Sequence, residues 1–144
     1  MRVLGLLKAD EASEAGAPPE PELIHKMGDL IEEATNAGIL LATDGLKPSS
    51  EGKRVRRSGG TVTVTDGPFT ESKELVASYA LMQFDSIDEA VHWTQRFLEV
   101  LGEGECELRP IYETTDFPPD VLSPEEAARD EALRQQMVKN AEAR

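Results

Sequence analysis

The sequence predicts an α+β fold of ferredoxin-like βαββαβ order, with a β-hairpin inserted before the third core strand and a further helix at the C-terminus. Three observations carry this reading. Two segments, residues 3–9 and 75–84, are apolar at both odd and even positions, as in strands covered on two sides. Two others repeat apolar residues every three or four positions, as helix faces do. Between the second and third core strands, Gly59-Gly60 joins two alternating runs, the signal of a tight hairpin.

Each element has its own local cause. Residues 3–9 pair an apolar set of Val3, Leu7 and Ala9 with Leu4 and Leu6 on the alternate side, and a polar connection from Ala12 to Pro21 follows. Leu23, Met27, Leu30, Ile31 and Ala34 then define a helix from Pro21 to Ala37. Pro21 suits its first turn, and Gly38 suits the left-handed position after its end. Ile39 to Ala42 reads as a strand running into Asp44-Gly45-Leu46-Lys47-Pro48-Ser49-Ser50, a loop by composition. Arg54–Ser58 and Thr61–Thr65 flank the two glycines, with Val62 and Val64 on one side of the ribbon and threonines on the other. Asp66-Gly67-Pro68-Phe69 closes it in a tight turn. After the strand from Leu75 to Phe84, Ser86-Ile87-Asp88-Glu89 is a capping box. The helix it opens turns Ile87, Ala90, Val91, Thr94, Phe97, Leu98 and Leu101 to one face. Glu105 to Tyr112 alternates into a last strand. Ser123-Pro124-Glu125-Glu126 starts a terminal helix to about Lys139 whose apolar stripe is thin, a helix expected to lie over the surface or against a partner chain. The domain reading is therefore 1–117 for the sandwich and 118–144 for a helical extension.

In this fold helices cover one face of the sheet, yet two strands are apolar on both. The second face must be buried elsewhere, and a second copy packed sheet to sheet is the simplest cover, so a homodimer is expected.

The 144 residues include 28 acidic and 15 basic side chains, a net charge of −13. Such an excess repels a phosphate backbone, so no nucleic acid is expected as a partner. No run approaches the roughly 20 apolar residues of a membrane span, so no membrane is expected either. The apolar start, Met1 to Leu7, stops at Lys8 and Asp10, too early for the apolar core of a signal peptide. One cysteine, Cys106, agrees with a reducing, cytoplasmic location. Lys53-Arg54-Val55-Arg56-Arg57 reverses the sign locally and reads as a solvated hairpin edge that resists aggregation. Two histidines and one cysteine show no zinc-ligand spacing, and Ser58-Gly59-Gly60-Thr61 lacks the lysine and helix of a phosphate loop, so neither a metal nor another cofactor is expected.

The run Thr65-Asp66-Gly67-Pro68-Phe69-Thr70-Glu71-Ser72-Lys73-Glu74 resembles the signature of the DGPF proteins within the YCII-related family. Gly45-Leu46-Lys47-Pro48-Ser49 and Glu107-Leu108-Arg109-Pro110-Ile111 match as well, so the resemblance spans residues 1 to about 117. It implies a dimeric α/β barrel of two ferredoxin-like subunits. Family function is mostly unassigned. YCII-like proteins have been proposed as enzymes on the basis of a His and Asp pair in a cleft, and one relative removes chloride from a chlorinated hydroxyquinol. The leading expectation for this chain is a compact organic ligand in the dimer cleft, with lyase- or isomerase-like proton transfer. The runner-up reading is a non-catalytic regulatory or interaction module, since DGPF proteins are encoded beside, or joined to, extracytoplasmic-function sigma factors.

The resemblance carries Asp10, just past the first strand, and His25, early on the first long helix, over as the candidate catalytic pair. A carboxylate that fixes the imidazole tautomer leaves the other ring nitrogen basic. Asp66 has two readings: an Asx-turn acceptor that shapes the Gly-Pro turn, or a general base at the cleft. Glu71, Lys73 and Glu74 are read as local ion pairs worth little each. Arg109 either clamps a small-molecule ligand's carboxylate or phenolate or pairs with an acid such as Glu107. Cys106 reads as a small core residue.

Overall fold

The computed structural model describes residues 1–70 and 74–144. The chain divides into two compact units, Met1–Ile111 and Tyr112–Arg144. The first holds β1 (Arg2–Lys8), α1 (Glu11–Glu14), α2 (Pro21–Asn36), β2 (Leu40–Gly45), β3 (Lys53–Ser58), β4 (Thr61–Asp66), β5 (Val76–Gln83), α3 (Ile87–Leu101) and β6 (Cys106–Pro110), with a 3-10 turn at Ser49–Glu51. The second holds a 3-10 turn at Thr114–Asp116 and α4 (Pro124–Ala143).

Four strands form one sheet in the order β2-β5-β1-β6, with β1 antiparallel to β5 and β6 and β2 antiparallel to β5. With α2 and α3 packed on it, this is the ferredoxin-like arrangement. Register sorts the side chains. Val3 lies between Met82 and Pro110, Gly5 between Ala80 and Leu108, and Leu7 between Ser78 and Cys106. This set faces the helices: Val3, Met82, Phe84 and Ala90 form the buried cluster, with Trp93, Leu108, Ala80, Leu40 and Ile39 packed around it. The alternate set, Leu4, Leu6, Tyr79, Leu81, Glu107 and Arg109, lies on the other face, where the leucines stay only half-buried. Helices α2 and α3 are tied by a fork of Arg96 guanidinium nitrogens to Glu33 at 3.0 and 2.6 Å.

Local chemistry sets the boundaries. Gly38 follows α2 at φ +74°, and Gly59 and Gly60 both have positive φ, as a primed two-residue turn requires. The Ser86 hydroxyl accepts the Glu89 N–H at 3.3 Å, but the Glu89 carboxylate accepts from Asp85 N–H rather than from Ser86. Ser123 caps α4 through Glu126 N–H. Three expectations shift. The polar connection after β1 contains a short helix, α1, because Asp10 and Ser13 cap each other reciprocally. Strand β2 runs on through Asp44-Gly45, since pairing of Asp44 with Tyr79 and Gly45 with Ser78 overrides turn composition. The last strand stops at Pro110 rather than Tyr112.

The second unit is described by itself. Tyr112 and Phe117 rings lie 5.1 Å apart, and along α4 Leu133, Met137 and Val138 are exposed.

Candidate functional site

Helices α2 and α3 do not close fully onto the sheet. Between them lies a cavity of about 420 Å³. Its walls come from α2 (Met27, Leu30, Ile31, Ala34), from the helix-facing strand residues (Gly5, Leu7, Ala80, Met82) and from α3 (Trp93, Phe97). The space exists because small residues stand where large ones would fill it: Gly5, Ala34 and Ala80 sit at its wall. A Cβ on Gly5 would already come within 3.1 Å of the Met82 methyl. This volume is in the ordinary range for small-ligand pockets.

Few polar groups reach this wall. Thr43 and Thr94 give their hydroxyls to backbone carbonyls, of Tyr79 at 2.9 Å and of Ala90 at 2.8 Å. The Ser78 hydroxyl and the Trp93 indole N–H, both of lining residues, take no hydrogen-bond partner among the described residues. Neither atom is sealed from solvent, so both stay open to a ligand. Asp44 and Tyr79 also border the cavity, but their register turns both side chains to the other sheet face, where the Tyr79 hydroxyl donates to Asp44 at 3.1 Å. That bond, with the adjacent negative charge, raises the Tyr79 pKa and keeps the phenol protonated. Cys106 is a lining residue whose thiol pKa is pushed up, chiefly by burial and then by Glu105, so it is a poor nucleophile at neutral pH.

The Asp66-Gly67-Pro68-Phe69 turn is organised by a residue that sequence reasoning left without a role. Ser49 donates from its N–H and hydroxyl to the two carboxylate oxygens of Glu14, at 3.1 and 2.5 Å, and accepts the Phe69 N–H at 3.1 Å. Gly67 donates to Gly52 O at 3.0 Å, and the Gly67–Pro68 peptide is cis. A Cβ at Gly67 would stand 1.7 Å from the Ser49 carbonyl oxygen. Arg54 lies over the Phe69 ring at 3.9 Å. Ser49 ends one of the segments that carried the resemblance; Glu14 gave no signal, because only the fold brings α1 beside this loop.

The structure does not bring the sequence-derived candidates together. The Asp10 carboxylate accepts the Ser13 N–H at 2.8 Å as the cap of α1, which holds it below the usual carboxylate range. His25 is 80% exposed in its side chain, and the carboxylate near it is Asp29, one turn along, at 3.7 Å. It lies on the side of α2 away from Met27 and Leu30. Asp66 pairs with Lys53 across the ribbon instead of accepting within its own turn. Arg109 pairs with Glu107 at 3.3 Å, on the sheet face opposite Cys106 and Leu108. The ion pairs expected among Glu71, Lys73 and Glu74 involve positions outside the described residues. Among those described, no three His, Cys, Asp or Glu side chains converge on a common point fit for a metal ion, and no helix is long and apolar enough to cross a membrane.

The YCII-related domain profile matches residues 1–115. The chain belongs to the YCII-related family. Within curated proteins it is 33% identical over 76 residues to an uncharacterized protein of Rhizobium meliloti (strain 1021), covering 52% of this chain and 61% of that one. The match thus spans about three-fifths of that relative's length. Among solved structures it is similar to a 5-chloro-2-hydroxyhydroquinone dehydrochlorinase from Burkholderia phenoliruptrix AC1100, in complex with 2,5-dihydroxybenzoquinone. That likeness covers 78% of this chain and 95% of the other, at 14% identity and a TM-score of 0.43.

Proposed function

We propose that this YCII-related protein binds a compact, largely apolar organic molecule carrying a hydrogen-bond-accepting oxygen, in the cavity between the sheet and helices α2 and α3. The observation that carries this is the wall itself: aliphatic and aromatic side chains around about 420 Å³, with the Ser78 hydroxyl and Trp93 N–H lacking partners among the described residues. An apolar body would be held by burial, and a carbonyl or hydroxyl oxygen would accept from these donors. The protein acts as a homodimer in this reading, with the half-buried Leu4, Leu6 and Leu81 face covered by a second copy, and the lone Cys106 fits a reducing cytoplasm.

Trp93 is the only tryptophan and lines the cavity, so its fluorescence reports occupancy directly. Acetophenone should quench it saturably and slow alkylation of Cys106. Ethylbenzene, which lacks the oxygen, should bind more weakly, and Ala80→Leu, which fills the wall, should abolish both effects. If acetophenone and related cyclic ketones and phenols give no saturation, the binding reading fails. Proton transfer by His25 with Asp10, with Asp66 as base or with Arg109 as ligand clamp, is tested on the same footing. His25→Ala and Asp10→Asn should suppress turnover of a bound ligand if these residues move the proton, and leave it unchanged otherwise.

A further inference from the structure

Strands β3 and β4 pair only with each other among the described residues, and all twelve of their residues are exposed. Register places Val55 opposite Val64 and Arg57 opposite Val62, so three valines share one face at 70, 57 and 59% exposure. A two-stranded ribbon with an uncovered apolar face is marginal in water, and its open edges are templates for another strand.

The base of the ribbon is well held: Gly67 N–H to Gly52 O, Lys53 to Asp66, and Arg54 over Phe69. The two edges differ sharply. Strand β3 carries Lys53, Arg54, Arg56 and Arg57, four of the 15 basic residues in a chain of net charge −13. Two β3 edges would repel each other. Strand β4 reads Thr61-Val62-Thr63-Val64-Thr65, with no charge, proline or glycine before Asp66. This run is also the same read backwards. Turned antiparallel on itself about Thr63, it sets Thr63 against Thr63, Val62 against Val64 and Thr61 against Thr65. Every cross-strand pair is then matched in size and polarity, and the valines of both chains fall on one side of the new sheet.

We propose that the β4 edge is a self-recognition site, and that its occupant is β4 of a second copy. The two ribbons join across a two-fold axis into one four-stranded antiparallel sheet, with the charged β3 strands at its outer edges. The contact is isologous, so through this edge each chain pairs with one other copy. The proposal is independent of the cavity and of the sheet face argued above.

A register-specific cross-link tests it on the full chain. Under mild oxidation Thr63→Cys should give a covalent dimer, because position 63 meets its own copy. Thr65→Cys should not, because its own copy lies about four residues away along the strand, roughly 13 Å. Without oxidation, Thr63→Arg, exposed and away from the core, should halve the mass seen by light scattering, while Leu6→Glu on the sheet face leaves the Thr63→Cys cross-link intact. Absence of the Thr63→Cys dimer, equal cross-linking at 65, or an unchanged mass for Thr63→Arg would each overturn the proposal.

Discussion

Individual side chains show how one atom decides a turn. Gly67 has no room for a methyl group because the Ser49 carbonyl occupies that space. Gly67→Ala should therefore lower stability by about 1–3 kcal/mol in denaturant titrations, through displacement of backbone rather than of a flexible side chain. Gly28 has nothing within 4 Å of the corresponding point and lies in the interior of α2. Gly28→Ala should stabilise modestly. Asp10 illustrates a charge set by a cap. Its folded-state pKa is depressed, first by the Ser13 N–H, so the stability it contributes is present above the pKa of the unfolded carboxylate and is lost as pH falls through the folded one. Asp10→Asn should thus be less stable than the wild type at neutral pH, with the gap in Tm closing in strong acid.

At the scale of elements, most boundaries follow from local chemistry. The Gly59-Gly60 turn, the Pro21 start of α2 and the Ser86 cap of α3 are all legible in sequence, because a backbone angle or an unsatisfied N–H is satisfied by a residue in the same turn. Ser86→Ala should cost about 1 kcal/mol, read as a lower denaturant midpoint with an unchanged slope. Elements that depend on a distant neighbour were not legible. Strand β2 extends through an Asp-Gly pair that by itself signals a turn, because β5 supplies the ladder. The β3–β4 ribbon was legible as a hairpin, but its open β4 edge stood out only once its exposure and its register were known.

For the whole molecule, the sheet has two faces with different needs. One packs on α2 and α3; the other leaves Leu4, Leu6 and Leu81 half-buried beside the Glu107–Arg109 pair. If a second copy covers this face, light scattering should give a multiple of 15.8 kDa. Leu6→Glu, which sets a charge in the middle of that interface, should reduce the mass with little change in helical circular dichroism.

The amino-acid pattern alone determined the order of elements, the amphipathic faces, the glycine turns and the family motif, since each depends on residues within a few positions of one another. The candidate site was not legible in the same way. His25 and Asp10 suggested a pair by position, but a helix that turns His25 to solvent and a cap that occupies Asp10 are consequences of packing and of local hydrogen bonding. The cavity beside Trp93, Ser78 and Cys106 draws its wall from six elements far apart in sequence. Only the tertiary structure decided its place, because the space is left where small residues on separate strands and a helix meet, and no single segment records that they do.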